Sequence, residues 1–143
     1  MESPKTPTVQ LESVIHIGII VKDLEKVTKT WSSLFGIGPW TFRDIEAMDD
    51  KLYPRRVKLA FATLGNVGFE VMQPIDDNLK QDWLSTHGEG MHHLCFTVDD
   101  QEGALADLAA QGVKPYMHPP GGFSLLESWP GGIIFEINQK RSQ

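Results

Sequence analysis

The chain has 143 residues, of which 41% are hydrophobic and 22% charged, so it is long enough to bury a core of its own. Its formal net charge of −6 argues against a nucleic-acid-binding protein, because contacts to phosphates require a basic surface. A single cysteine, Cys95, excludes an internal disulfide and a cysteine-cluster metal site, and no apolar run approaches the roughly 20 residues of a membrane span.

The first half of the chain is predicted to form a strand, a helix and a pair of strands. The run IHIGIIV is rich in β-branched residues, which favours a strand. Asp23 is placed to cap a helix whose apolar residues recur every three or four positions, and Gly36 is placed to end it. The segments VKLAFATLG and VGFEVMQP flank LGNVG, which predicts a β-hairpin.

The second half repeats this order after an intervening segment. Residues 76–90 predict a short helix ended by Gly88 and then a linker. The run HLCFTV predicts a strand, Asp99 or Asp100 caps the helix that follows, and Gly112 ends it. The segments FSLLESW and GGIIFEIN predict another pair of strands.

The spacing of histidine and aspartate fixes the register between the two halves. His16 lies seven residues before Asp23, and His93 lies seven residues before Asp100. Choosing the neighbouring His92 instead breaks this match. Each half therefore carries one equivalent histidine on its first strand, which indicates an internal repeat.

Each half also ends on a Phe-Glu-aliphatic segment, FEV at 69–71 and FEI at 135–137. The pattern predicts two copies of a β-α-β-β-β module, the first covering about 13–75 and the second about 91–140. We expect both modules to belong to a single domain that spans 1–143.

Strand alternation places a polar pair on one face of each module, opposite the larger apolar face that should pack on the helix. A single histidine or glutamate on a strand is more often a core or surface residue. Four at equivalent places of a repeat favour a metal site, because two carboxylates meeting in a partly dry cavity would repel each other without a cation. The predicted ligands suit Zn²⁺, Co²⁺, Ni²⁺, Mn²⁺ or Fe²⁺, one ion per site: His16, Glu70, His93 and Glu136.

The segments IHIGIIVKDLEKV, GFEVMQP, GMHHLCFTVDD and GGIIFEIN resemble the four ligand segments of the vicinal oxygen chelate superfamily, and most closely its methylmalonyl-CoA epimerase-like members. The resemblance covers about 13–140. It implies an α+β fold in which two βαβββ modules in tandem form a curved mixed sheet around a metal-binding cleft. It also implies that His92 points outward or supports the neighbouring ligand from behind.

Four protein ligands resemble the isomerases of this superfamily rather than its three-ligand dioxygenases or its metal-free antibiotic-binding members. The resemblance therefore implies a metal-dependent isomerase or epimerase that acts through a metal-stabilised enolate, on an acyl-CoA or another thioester or ketone. Glu136 is a catalytic candidate as a ligand that also exchanges protons. Glu46 is the second catalytic candidate, with Asp49 and Asp50 behind it.

Two alternatives stay open. One is a lactoylglutathione-lyase-like isomerase or lyase acting on a thiol adduct, and the other is a non-catalytic protein that binds a small molecule between aromatic loops. Departures from the epimerase pattern before the last strand bear on whether the substrate is a CoA thioester. Aromatic and basic residues bear on the choice of substrate: Trp40, Tyr53, Phe123 and Trp129, and Lys51, Arg55, Arg56 and Lys58. We expect a cytoplasmic homodimer that binds neither nucleic acid nor membrane.

Overall fold

Strands and helices alternate twice along the chain in the computed structural model, which describes residues 6–47, 55–118, 122–127 and 130–141. The elements, in order, are β1 (Ser13–Ile20), α1 (Leu24–Phe35), β2 (Thr41–Ala47), β3 (Arg55–Leu64), β4 (Val67–Asp77), α2 (Asn78–His87), β5 (Gly90–Val98), α3 (Gln101–Ala110), β6 (Pro115–Met117), β7 (Ser124–Leu126) and β8 (Ile134–Gln139). This order confirms the mixed α+β fold with two βαβββ modules, separated by α2.

The chain divides into two units, one comprising residues 16–93 and the other combining residues 1–15 with 94–143. The boundaries fall next to the two predicted histidines, at the beginning of β1 and within β5. Among the described helices none is both long enough and apolar enough to cross a membrane.

In the unit of residues 16–93 the strand order is β2-β3-β4-β1. The strands β1 and β4 run parallel, with His16 opposite Gly68 and Gly18 opposite Glu70. The other two pairings in this unit, β2 with β3 and β3 with β4, are antiparallel. The turn between β3 and β4 contains Gly65 with a φ of +62°, a left-handed conformation that glycine adopts without a steric penalty.

The helix α1 covers one face of this sheet. Asp23 caps it by accepting a hydrogen bond from the backbone N–H of Lys26, and Gly36 ends it in the left-handed conformation, as predicted. Side chains from the helix and three strands form a core cluster around Val21, Leu24, Ala60 and Val71. Because adjacent strand residues point to opposite faces, His16, Gly18 and Glu70 lie on the face away from the helix.

The other unit has the strand order β5-β8-β7-β6, covered by α3. Asp100, rather than Asp99, caps α3 by accepting from the backbone N–H of Gly103. The core cluster beneath α3 includes Leu105, Leu126 and Ile137. Since Ile137 faces the helix, its strand neighbour Glu136 faces the other way, as the alternation predicted.

Candidate metal centre

Three of the four predicted ligands meet in the unit of residues 16–93. The Nε2 atoms of His16 and His93 are 3.0 Å apart. Glu70 lies against both rings, with one carboxylate oxygen 3.7 Å from His16 Nε2 and the other 3.5 Å from His93 Nε2. A cation bound through bonds of about 2.0–2.2 Å holds neighbouring ligand atoms about 2.8–3.1 Å apart in an octahedral site and about 3.3–3.6 Å apart in a tetrahedral one, so this spacing is close to that of a coordination shell.

Glycines make the close approach possible. In the parallel register, His16 and Glu70 are each opposite a glycine, Gly68 and Gly18 respectively, so no second side chain occupies the space beside them. A Cβ atom added at Gly18 would overlap the imidazole ring of His93. Gly18 therefore forms part of the cradle that seats His93. A glycine inside a β-branched run is the sequence signal for such a close approach, but the ring it accommodates is distant in sequence and was not predicted.

Burial keeps the two imidazoles uncharged. Desolvation lowers the pKa of His16 to about 4. It also lowers the pKa of His93 well below its ordinary value, and the neighbouring rings of His92 and His16 lower it further. A neutral imidazole is the form that binds metal ions, because it keeps a lone pair on one ring nitrogen. Two such nitrogens and one carboxylate form a donor set that suits a borderline divalent cation.

His92 does not point outward into solvent. Only 2% of its surface is exposed, and its Nδ1 atom lies 2.8 Å from the Nδ1 atom of His93. Its ring packs edge-on against Trp83 of α2, with the ring centroids 5.0 Å apart. Burial, followed by the charge of Lys80, lowers the pKa of His92 to about 3. His92 thus lies behind the ring of His93 and bonds to it directly.

The fourth predicted ligand, Glu136, lies on β8 of the other unit with 6% of its surface exposed. The side-chain amide of Asn138 donates to Glu136 Oε2 over 3.1 Å and so orients the carboxylate. The buried Oδ1 atom of the same asparagine has no hydrogen-bond partner among the described residues. The role of Glu136 as a ligand stays a prediction based on the repeat.

The structure does not bring Glu46 to the two histidines. Glu46 is opposite Arg56 in the β2–β3 pairing, and its carboxylate lies 3.3 Å from Arg56 Nε at the surface. The register places Thr41, through Phe61, level with Glu70. Alternation along β2 then turns Glu46 to the opposite face from Thr41, about 16 Å further along the strand. The assignment of Glu46 as the second base is therefore not supported.

Other candidates fall on different surfaces. Trp40 lies on the α1 side of the sheet, where its indole N–H donates to Ser32 Oγ and its ring packs against Trp31. It does not flank the two histidines. Arg56 of the basic cluster is paired with Asp44 at 2.7 Å. Several predicted positions lie outside the described residues: Asp49, Asp50, Lys51, Tyr53 and Trp129.

Known proteins match the part of the chain that contains His16, Glu70 and His93. Residues 15–124 match the family described as the Glyoxalase/Bleomycin resistance protein/Dioxygenase superfamily. Human mitochondrial methylmalonyl-CoA epimerase is 28% identical over 133 residues, which cover 87% of this chain and 72% of the human protein.

Solved structures share the fold at lower sequence identity. A methylmalonyl-CoA epimerase in complex with methylmalonyl-CoA and NH4+ superposes with a TM-score of 0.71 at 23% identity, covering 91% of this chain and 95% of the other. A hypothetical protein of Bacillus halodurans C-125 also gives a TM-score of 0.71, at 22% identity, covering 92% of this chain and 96% of the other. The shared fold extends over both modules.

Proposed function

Because this chain belongs to the glyoxalase/bleomycin resistance protein/dioxygenase superfamily, we propose that it is a divalent-metal-dependent isomerase that epimerises an acyl-CoA thioester at its α-carbon. The observation that carries the proposal is the convergence of His16, Glu70 and His93, whose ligand atoms all lie within 4.8 Å of one another. Neither histidine needs to be in this place for the sheet to form, since aliphatic residues would pack there at a lower desolvation cost.

The donor set fits a cation of the proposed kind. Two neutral imidazole nitrogens and one carboxylate oxygen would hold it in the unit of residues 16–93, and Glu136 is the proposed fourth ligand. When bound, such a cation supplies a Lewis acid that polarises a substrate carbonyl and favours loss of the neighbouring proton. We therefore expect one ion per chain.

The residues of the chain have separate proposed tasks. His16 and His93 offer uncharged nitrogen donors, so that Glu70 and Glu136 can balance the charge of a divalent ion. Glu136 is also the proposed acid/base group at the α-carbon, because its carboxylate is buried and oriented by Asn138. Glu46 has no part in the proposal, since it is paired with Arg56 on the other face of the sheet.

The proposed substrate class rests on the relatives. The human relative is named as a methylmalonyl-CoA epimerase, and a structurally similar epimerase is complexed with methylmalonyl-CoA. An acyl-CoA thioester has the two features the site would use, a carbonyl oxygen and an acidic α-proton. The homodimer and the cytoplasmic location remain predictions.

The test combines metal analysis with hydrogen exchange. Purified wild-type protein should carry about one divalent ion per chain, and it should incorporate deuterium from D₂O at the α-carbon of at least one acyl-CoA in a panel. His16→Ala and Glu136→Gln should each slow that exchange by about 100-fold or more, as expected for loss of a ligand or an acid/base group. His87→Leu, which removes a histidine that stacks on Trp83, is the matched control and should retain exchange.

Two results would contradict the proposal in different ways. Bound metal without exchange in any thioester would favour the thiol-adduct isomerase or lyase. A protein that binds no divalent ion, and whose ligand affinity survives His93→Ala, would favour the non-catalytic binding protein.

A further inference from the structure

We propose that His92 is a positioning residue that accepts a hydrogen bond from Nδ1–H of His93 and thereby holds the Nε2 lone pair of His93 toward the metal centre. This inference rests on the proposed metal site and adds to it a residue that selects the tautomer of a ligand. The repeat predicted only one histidine per module, so the doubled histidine of β5 needs a function of its own.

The rings of His92 and His93 are in close contact and are shielded from solvent. The Nδ1 atoms of His92 and His93 are 2.8 Å apart, with the ring planes at 83°, and each residue is 2% exposed. Two ring nitrogens at this distance share one hydrogen, so one ring donates and the other accepts. Adjacent residues on a strand start toward opposite faces. In this pair the hydrogen bond joins the Nδ1 atoms, which are the ring nitrogens nearer to the backbone.

The surroundings of His93 decide which ring donates. Its Nε2 atom faces Nε2 of His16 at 3.0 Å and an oxygen of Glu70 at 3.5 Å. A ligand nitrogen must present a lone pair, so the hydrogen of a neutral metal-binding His93 belongs on Nδ1. That hydrogen points to Nδ1 of His92, which then acts as the acceptor. The opposite arrangement would leave a hydrogen on His93 Nε2 and block coordination.

The helix α2 holds the acceptor in place. Trp83 packs edge-on against His92 with a centroid distance of 5.0 Å, and it also stacks on the ring of His87 at 3.8 Å. At the start of the same helix, the ammonium of Lys80 lies 3.0 Å from the carboxylate of Asp77, and both residues are buried. The segment between the modules thus supports the back of the site rather than serving as a linker alone.

Ligating histidines commonly donate their second N–H to a carboxylate or a carbonyl, and loss of that partner weakens metal binding by about 10- to 100-fold. Here the partner is a second imidazole. A neutral acceptor leaves His93 less electron-rich than a carboxylate would, and it adds no further negative charge to a site that already contains Glu70.

The test compares two substitutions and a control. His92→Leu removes the acceptor while keeping an apolar side chain, and Co²⁺ affinity should fall by about 10- to 100-fold. His92→Asn places an amide oxygen near the former Nδ1 position, and it should restore affinity to within about threefold of wild type. His87→Leu disturbs the other face of Trp83 and should leave the affinity unchanged within about twofold.

A second measurement needs no variant and no metal. Long-range ¹⁵N–¹H spectra of the metal-free wild-type protein should show His93 with its hydrogen on Nδ1 and His92 with its hydrogen on Nε2. The opposite assignment for His93 would overturn the inference, as would full Co²⁺ affinity in a folded His92→Leu protein. If the wild-type chain itself binds no Co²⁺, the proposed metal site fails, whereas binding that is indifferent to His92 overturns only the positioning role.

Discussion

Single residues decide the geometry of the centre, and they differ in how well sequence can find them. His16, Glu70 and His93 could be predicted because strand alternation and the repeat fix their faces. Gly18 was missed because its role depends on a ring that is distant in sequence. Glu46 was proposed without a strand register, and β2 turns it to the face opposite that of Thr41.

Gly18→Ala tests the cradle. The added methyl group would overlap the His93 imidazole, so we expect the ring to shift and Co²⁺ affinity to fall by about 10-fold or more. Isothermal titration calorimetry on the folded variant measures the effect. Ile19→Val alters the next residue on the same strand, which faces α1, and should leave the affinity unchanged. Equal Co²⁺ affinities for wild type and Gly18→Ala would show that the His93 ring can accommodate the added methyl group, and would contradict the proposed cradle.

At the scale of elements, helices were easier to predict than short strands. Each of the three α-helices among the described residues begins at an aspartate cap that accepts a hydrogen bond from a backbone N–H three residues later, namely Asp23, Asp77 and Asp100. The strand β2 was not located in the sequence because its apolar residues do not alternate. The three residues of β6 are too few for any periodicity to appear.

Asp23→Ala tests the α1 cap. Losing the hydrogen bond to the N–H of Lys26 should lower the free energy of unfolding by about 1 kcal/mol. Urea denaturation followed by circular dichroism gives the value. Glu25→Ala removes another acidic residue of the first turn that makes no capping bond, and its effect should stay within about 0.5 kcal/mol. A loss as large in Glu25→Ala would assign the effect to helix charge rather than to the cap.

For the molecule as a whole, the fold was predictable because the chain contains two copies of one module. The burial of the histidines distinguishes the candidate metal site from an ordinary surface cluster. Two modules with the same order of elements could be recognised because equivalent residues recur at equal spacing. The depth of His92 could not be predicted, since it depends on where α2 packs. Burial lowers the pKa values of three histidines in one unit. Burying these polar rings without a metal reduces the free energy of unfolding.

Stability of the metal-free protein should therefore fall in mild acid. The pKa of His16 is about 4 and that of His92 about 3 in the folded chain, against an ordinary value of 6.5, so the unfolded chain takes up protons first. Stability is full above pH 6.5 and declines as the pH falls from there toward the folded values. Between pH 7.5 and 5.5 His16 and His92 should each account for about 1 kcal/mol of this loss, and His93, whose pKa is also lowered by burial, adds to it.

Urea denaturation in EDTA at the two pH values measures this loss. His92→Leu removes one titrating ring, so its loss should be smaller by about 1 kcal/mol. An unchanged pH dependence in that variant would mean that His92 takes up its proton equally readily in the folded and unfolded chain.

The 3.0 Å contact between His16 Nε2 and His93 Nε2 has a consequence for how the centre would fill. A hydrogen bond between two neutral rings at this distance requires a hydrogen on one of the two nitrogens, in the space that a bound ion would occupy. If His93 carries its hydrogen on Nδ1, that hydrogen belongs to His16, and metal binding there would require the hydrogen of His16 to lie on Nδ1 of the same ring instead. Metal binding would then be coupled to a change of tautomer at one neutral imidazole, with no net release of a proton from that ring.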